Sequence, residues 1–114
     1  MSLELANLLF PNVTDTIDDL LKKYPRRPEG QIVSRVAPSP TGFMHIGTVY
    51  NALIAERFVH QDSNDGVFFL RLEDTDQERE VAGAREIIVQ GLRTFGIQIN
   101  EGPIGPDCSD VGNY

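Results

Sequence analysis

Tryptophan is absent from these 114 residues, and cysteine occurs once, at Cys108. One thiol cannot close an internal disulfide, which excludes a small secreted fold stapled by cysteines. Cys108 has no His or Cys at zinc-ligand spacing, so it is expected to be inert and no structural zinc is expected. No apolar run approaches the roughly 20 residues a membrane helix needs. The N-terminus lacks the basic start and small-residue cleavage site of a secretory signal. A cytoplasmic protein with no membrane partner is therefore expected. Basic residues are scarce, 10 against 17 acidic ones, giving a net charge of −7. That balance speaks against a broad basic surface for nucleic acid. The 40% hydrophobic and 24% charged content is ordinary for a globular chain and excludes disorder and collagen. The length fits one modest domain.

The acidity is local. Residues 61–90 sum to −5, whereas residues 31–60 sum to +1. Residues 1–30 read as an appendage with two short helical segments. Leu5, Leu8 and Leu9 form a brief apolar stripe that Pro11 ends, and Thr16 with Asp19 has the spacing of a capping box before Leu20, Leu21 and Lys23. Tyr24–Gly30 is a proline-stiffened connector. Its Arg26 and Arg27 read either as a solvated linker or as phosphate contacts.

From Gln31 the pattern changes. Residues 32–37 predict a short buried strand. Pro38-Ser39-Pro40-Thr41-Gly42 must be a loop, because prolines break a ladder. A helix is expected from Ile46, with Val49, Tyr50, Leu53, Ile54, Arg57 and Phe58 on one face. Ser63–Gly66 reads as a turn. Residues 67–72 predict a second strand, apolar enough for a parallel sheet covered on both faces. Glu73–Asp76 reads as a polar loop. Val81, Ala84, Ile87, Ile88, Leu92 and Phe95 then mark a helix, which Gly96 is placed to stop. This is a βαβα order with a right-handed crossover. Ligands of such sheets bind beyond the carboxyl ends of the strands, so the loops at 38–45 and 73–79 are expected to face one crevice. No third strand is expected after Gly102. Two parallel strands do not make a complete domain, so the sequence is expected to be cut inside one.

Both loops carry residues suited to chemistry. His45 and Thr48 fall at a helix N-terminus, where amides and the dipole favour anions. A histidine there can stabilise charge that develops on phosphate oxygens, or it can be merely structural. Glu73, Asp74 and Asp76 read as a solvated or capping cluster, as a divalent-metal site, or as a carboxylate for an ammonium group. Arg35, on a strand expected to be buried, needs a partner. Either a ligand carboxylate or an internal acid such as Glu73 would serve.

The run Arg35-Val36-Ala37-Pro38-Ser39-Pro40-Thr41-Gly42, then His45-Ile46-Gly47-Thr48, then Leu70-Arg71-Leu72-Glu73-Asp74-Thr75-Asp76, then Glu101-Gly102-Pro103, resembles the start of the bacterial glutamyl-tRNA synthetases. The resemblance covers about residues 31–106. It implies an incomplete Rossmann-like class I synthetase fold. Residues 31–114 would be the first part of a catalytic domain, preceded by a helical extension over 1–30. It implies ATP with Mg²⁺, L-glutamate and tRNA(Glu) as partners, the tRNA held mostly by regions not present here, and a monomer. His45 and Thr41 would act in catalysis. Pro40, Gly47 and Thr48 would complete the ATP site with His45. Arg35, Ala37, Ser39, Glu73 and Arg79 would hold glutamate, with no protein-bound metal. Thr48 departs from the His-Ile-Gly-His form of class I enzymes. A ligase that attaches glutamate to a queuosine base shares this pocket, but there Ser is commoner at position 41 and Ile at position 75. A plain nucleotidyltransferase shares only the histidine signature. A non-catalytic nucleotide- or tRNA-binding module is the reading from another class.

Overall fold

A computed structural model describes residues 3–61, 65–73 and 81–113. The first helix, α1, spans Leu3–Leu9 and the second, α2, spans Ile17–Lys23. α2 begins as its sequence dictates. The Thr16 hydroxyl oxygen accepts from the Asp19 amide at 3.2 Å, and the Asp19 carboxylate accepts from the Thr16 amide at 3.0 Å. That reciprocal box satisfies donors that a helix start leaves open. The Thr16 hydroxyl, which donates to the Asp19 carboxylate at 2.6 Å, and then the Thr16 amide hold the Asp19 carboxyl below the usual range.

Strand β1 is Val33–Val36 and strand β2 is Val67–Leu70. They pair in parallel, with Val33 opposite Val67, Arg35 opposite Phe69 and Val36 opposite Leu70. Helix α3, Ile46–His60, forms the crossover. Helix α4, Ala84–Thr94, follows β2 and ends where Gly96 turns with φ of 70°. The βαβα order expected from the sequence is present. Among the described residues the sheet has two strands, and residues 100–101 lie beside β2 without forming a third. The Asn100 amide donates to the Phe68 carbonyl at 2.8 Å, and the Leu70 amide donates to the Glu101 carbonyl at 2.9 Å. Glu101 pairs with Phe69 in a parallel bridge. Gly102 sits so close to β2 that a Cβ would lie 2.4 Å from the Leu70 carbonyl oxygen, which only glycine tolerates.

The core lies on one side of this sheet. Val36, Phe68 and Leu70 share it with Val49, Ala52 and Val59 of α3 and with Ile88, Val89 and Leu92 of α4. Side chains alternate along a strand, so Val33, Arg35, Val67 and Phe69 point to the opposite side. There Val33 and Arg35 are exposed, and Val67 and Phe69 are half-buried. Two expectations are thereby corrected. β1 buries only Val36, and among the described residues the helices cover one face of the sheet rather than both.

Helix α3 also turns a different side inward. Its buried residues are Val49, Ala52, Glu56 and Val59, whereas Tyr50, Ile54 and Phe58 are more than half exposed. Apolar residues surround this helix, so spacing alone does not select a face. Burial of Glu56 is made tolerable by polar contacts. His60 Nδ1 lies 3.1 Å from Glu56 Oε1, and the Gln98 amide reaches the same oxygen at 3.4 Å. His60 Nε2 is 3.1 Å from Asn100 Oδ1, which also accepts the Phe68 amide at 2.8 Å. Beside Oε2 stands the Arg57 guanidinium, 3.2 Å away, without a hydrogen bond. In α4, Ala84, Ile88 and Leu92 are buried as expected, while Val81, Ile87 and Phe95 are exposed.

Candidate functional site

Two loops leave the carboxyl ends of β1 and β2, and the backbone ties them together. The Arg71 amide donates to the Val36 carbonyl at 2.9 Å, the Glu73 amide to Pro38 at 3.1 Å, and the Val81 amide to Pro40 at 3.0 Å. Proline lacks an N–H but keeps its carbonyl. Pro38 and Pro40 therefore give the first loop a fixed shape while their carbonyls receive the second loop. Both prolines are buried, whereas Ser39 and Thr41 between and beside them are exposed. Ala37 is half-buried.

His45 closes the first loop as the N-cap of α3. Its backbone is extended, with φ −75° and ψ 149°, and its side chain makes no capping hydrogen bond. Its carbonyl accepts the Thr48 and Val49 amides at 2.9 and 3.3 Å. The imidazole is thus left exposed beside the positive end of a 15-residue helix, an electrostatic setting that favours an anion. Gly47 is exposed in the first turn and Thr48 is half-buried.

The acidic side is built differently from expectation. Glu73 Oε1 lies 3.3 Å from Arg71, and both side chains are substantially exposed. Arg35 is not the internal partner of Glu73. It is exposed on the open sheet face, and among the described residues it forms no ion pair. The Arg79 expectation lies outside the described residues, as do Asp74, Thr75 and Asp76. The structure thus ties the segment Ala37–Pro40 to Glu73 and Val81 through the Pro38 and Pro40 carbonyls, and sets His45 at the start of α3. A hollow of about 330 Å³ lies at Arg71, lined also by Leu72, Arg85, Pro103 and Cys108. Burial, followed by the nearby Glu86, pushes the Cys108 thiol up, which agrees with an inert cysteine.

One ion pair was not foreseen. Arg27 Nη1 donates to Glu101 Oε1 at 2.9 Å and Nη2 donates to Oε2, a two-pronged contact. Nη2 also donates to the Asn113 carbonyl at 2.6 Å, and the Asn113 side chain donates to the Pro25 carbonyl at 2.6 Å. The Arg27 hydrogen bonds hold the Glu101 carboxyl below the usual range. At Arg27 the connector is therefore neither solvated linker nor free phosphate contact, whereas Arg26 is exposed. The pairing was hidden because 74 residues separate its partners. The proline-flanked arginine and the Glu101-Gly102-Pro103 motif were its only local marks.

This chain is similar to known proteins. The model of the tRNA synthetases class I (E and Q), catalytic domain, matches residues 31–107. A glutamate–tRNA ligase of Clostridium perfringens is 50% identical over 112 residues, covering 96% of this chain and 20% of that one. A glutamate–tRNA ligase of Clostridium beijerinckii is 50% identical over 117 residues, covering 100% of this chain and 21% of that one. The chain thus spans about a fifth of the length of these relatives. Among solved structures, a glutamate–tRNA synthetase of Elizabethkingia anophelis is similar with a TM-score of 0.59 at 42% identity, over 64% of this chain and 14% of that one. A glutamate tRNA ligase of Elizabethkingia meningosepticum, solved with its amino acid, gives a TM-score of 0.58 at 42% identity over the same shares.

Proposed function

The chain belongs to the catalytic-domain family of class I tRNA synthetases for glutamate and glutamine, and from that membership we propose that the protein carrying it activates L-glutamate with ATP and transfers it to tRNA(Glu). In the first step a carboxylate oxygen of glutamate bonds to the α-phosphorus of ATP. The bond from that phosphorus to its bridging oxygen breaks, and pyrophosphate leaves with the electron pair. In the second, a ribose hydroxyl at the tRNA end attacks the activated carbonyl and AMP departs.

The observation that carries this reading is the backbone tie between the loops, Glu73 to Pro38 and Val81 to Pro40. It makes one preorganised corner from residues far apart in the chain. In that corner Arg35 would pair with a glutamate carboxylate and Glu73 with its ammonium group. With the side-chain carboxylate as the group that Arg35 pairs, the match would also disfavour glutamine, whose neutral amide would leave Arg35 unpaired. Ala37 and Ser39 would shape the space around the amino acid, and Arg79 would add to the same pocket. His45 would hydrogen-bond the phosphates as charge builds on them, with Thr41, Pro40, Gly47 and Thr48 around the nucleotide. Mg²⁺ would arrive bound to ATP. Among the described residues no three His, Cys, Asp or Glu side chains are gathered to hold a metal, and no step here runs through one. No described helix is long and apolar enough to cross a membrane; we place the protein in the cytoplasm, acting as a monomer.

Glutamate-dependent exchange of pyrophosphate into ATP tests the reading in the full-length protein. His45→Ala is expected to lower kcat by roughly 10²–10³-fold while the glutamate KM changes little. An unchanged exchange rate removes His45 from catalysis, and absence of glutamate-dependent exchange in the unaltered protein removes the reaction itself.

A further inference from the structure

We propose that Arg27 is a positioning residue for the glutamate site, which it serves by occupying Glu101 and so keeping that carboxylate from Arg35. The last step of this inference rests on the glutamate-activating reading above; the placement of the residues does not.

Register puts the three groups on one level. Arg35 lies opposite Phe69 in β1–β2, and Phe69 pairs in parallel with Glu101. Partners in a parallel ladder point to the same side, so Arg35, Phe69 and Glu101 share the sheet face that the helices leave open. Two inter-strand steps separate the backbones of Arg35 and Glu101, about 10 Å. An extended arginine and a glutamate can close much of that gap. An Arg35 paired with Glu101 could not offer its guanidinium to a substrate carboxylate.

The structure prevents that pairing with a built clamp. Both Glu101 oxygens are taken by the two prongs of Arg27. Arg27 is itself fixed by the Asn113 carbonyl, and Asn113 by the Pro25 carbonyl. The glutamate side chain is 12% exposed, so water competes little for it. Gly112 packs against it so closely that a Cβ would stand 2.3 Å from Glu101 Cγ. The connector reaches this place in a set shape. Pro25 and Pro28 restrict the backbone on either side of Arg27. Beyond them the Gln31 amide donates to the Pro28 carbonyl at 3.2 Å, and the Gln31 side chain donates to the Asp65 carbonyl at 2.7 Å. The cation thus comes from outside the span that the family model matches, and its partner lies within it.

Rescue is the decisive readout, because a merely structural clamp and a shield respond oppositely to loss of the second partner. In the full-length protein, Arg27→Ala is expected to raise the glutamate KM about tenfold, with the ATP KM within about twofold. Arg27→Lys, which keeps the charge and loses the two-pronged contact, is expected to fall between. Adding Glu101→Gln to Arg27→Ala removes the competing carboxylate and is expected to return the glutamate KM close to its original value. The proposal is overturned if the double variant is as impaired as Arg27→Ala, or if glutamate and ATP KM rise together. Should the unaltered protein show no glutamate-dependent exchange, the enzymatic reading fails by itself. The shield is then read from reaction of the arginines with phenylglyoxal, followed by peptide mass spectrometry. Arg35 should react more slowly in Arg27→Ala and recover its rate in the double variant; an unchanged rate overturns the shield.

Discussion

The two faces of the small sheet differ in almost every physical respect. Under the helices, Phe68 and Leu70 are fully buried with Ile88 and Leu92, and each such side chain contributes about 1.5–3 kcal/mol by leaving water. On the other face Val33 and Arg35 are exposed, and the packed charge is the Arg27–Glu101 pair. One face holds the fold together. The other presents a cation in register with a shielded carboxylate. Stability and chemistry are thus separated by strand alternation, with odd positions of β1 given to the site and Val36 to the core.

That separation can be broken from its stable side first. Leu92→Ala is expected to cost about 3 kcal/mol, read as a lower denaturant midpoint. On the open face, the Glu101 carboxyl is held below its usual range by Arg27. The unfolded chain therefore takes up the proton first, and the stability from this pair is present above about pH 4.3, the ordinary glutamate value. It is lost as pH falls from there through the lowered native value. Glu101→Gln should flatten that part of a stability-against-pH curve, and it should lower stability at pH 7 by about 2 kcal/mol. The smallest effect is expected at Val33→Thr, within about 0.5 kcal/mol. A cost there as large as at Leu92 would mean that the open face is covered after all.

How legible each part was follows from contrast along the chain. In α4, Arg85, Glu86, Gln90 and Arg93 oppose Ala84, Ile88 and Leu92, so the period points inward, although Ile87 at the edge of the stripe is exposed. In α3 the residues Tyr50, Ile54 and Phe58 compete with Val49, Ala52 and Val59. The buried Glu56 is legible only once its partners Gln98 and His60, the latter held by Asn100, are in place. The capping box at Thr16 and the stop at Gly96 are local and were readable. The loops at 38–45 and 73 were readable as residue types, and their approach followed from both leaving the carboxyl ends of parallel strands. The Arg27–Glu101 clamp was not, since nothing local ties a connector arginine to a carboxylate far along the chain.

Amino-acid binding on the open face requires Arg35 to be left open for a substrate carboxylate. The direct measurement is the glutamate dependence of pyrophosphate exchange in Arg35→Ala, in the full-length protein. Loss of a charge-assisted two-pronged contact should raise the glutamate KM by roughly 10²-fold, with the ATP KM little changed. An unaltered glutamate KM would contradict the assignment of the open face as the amino-acid site.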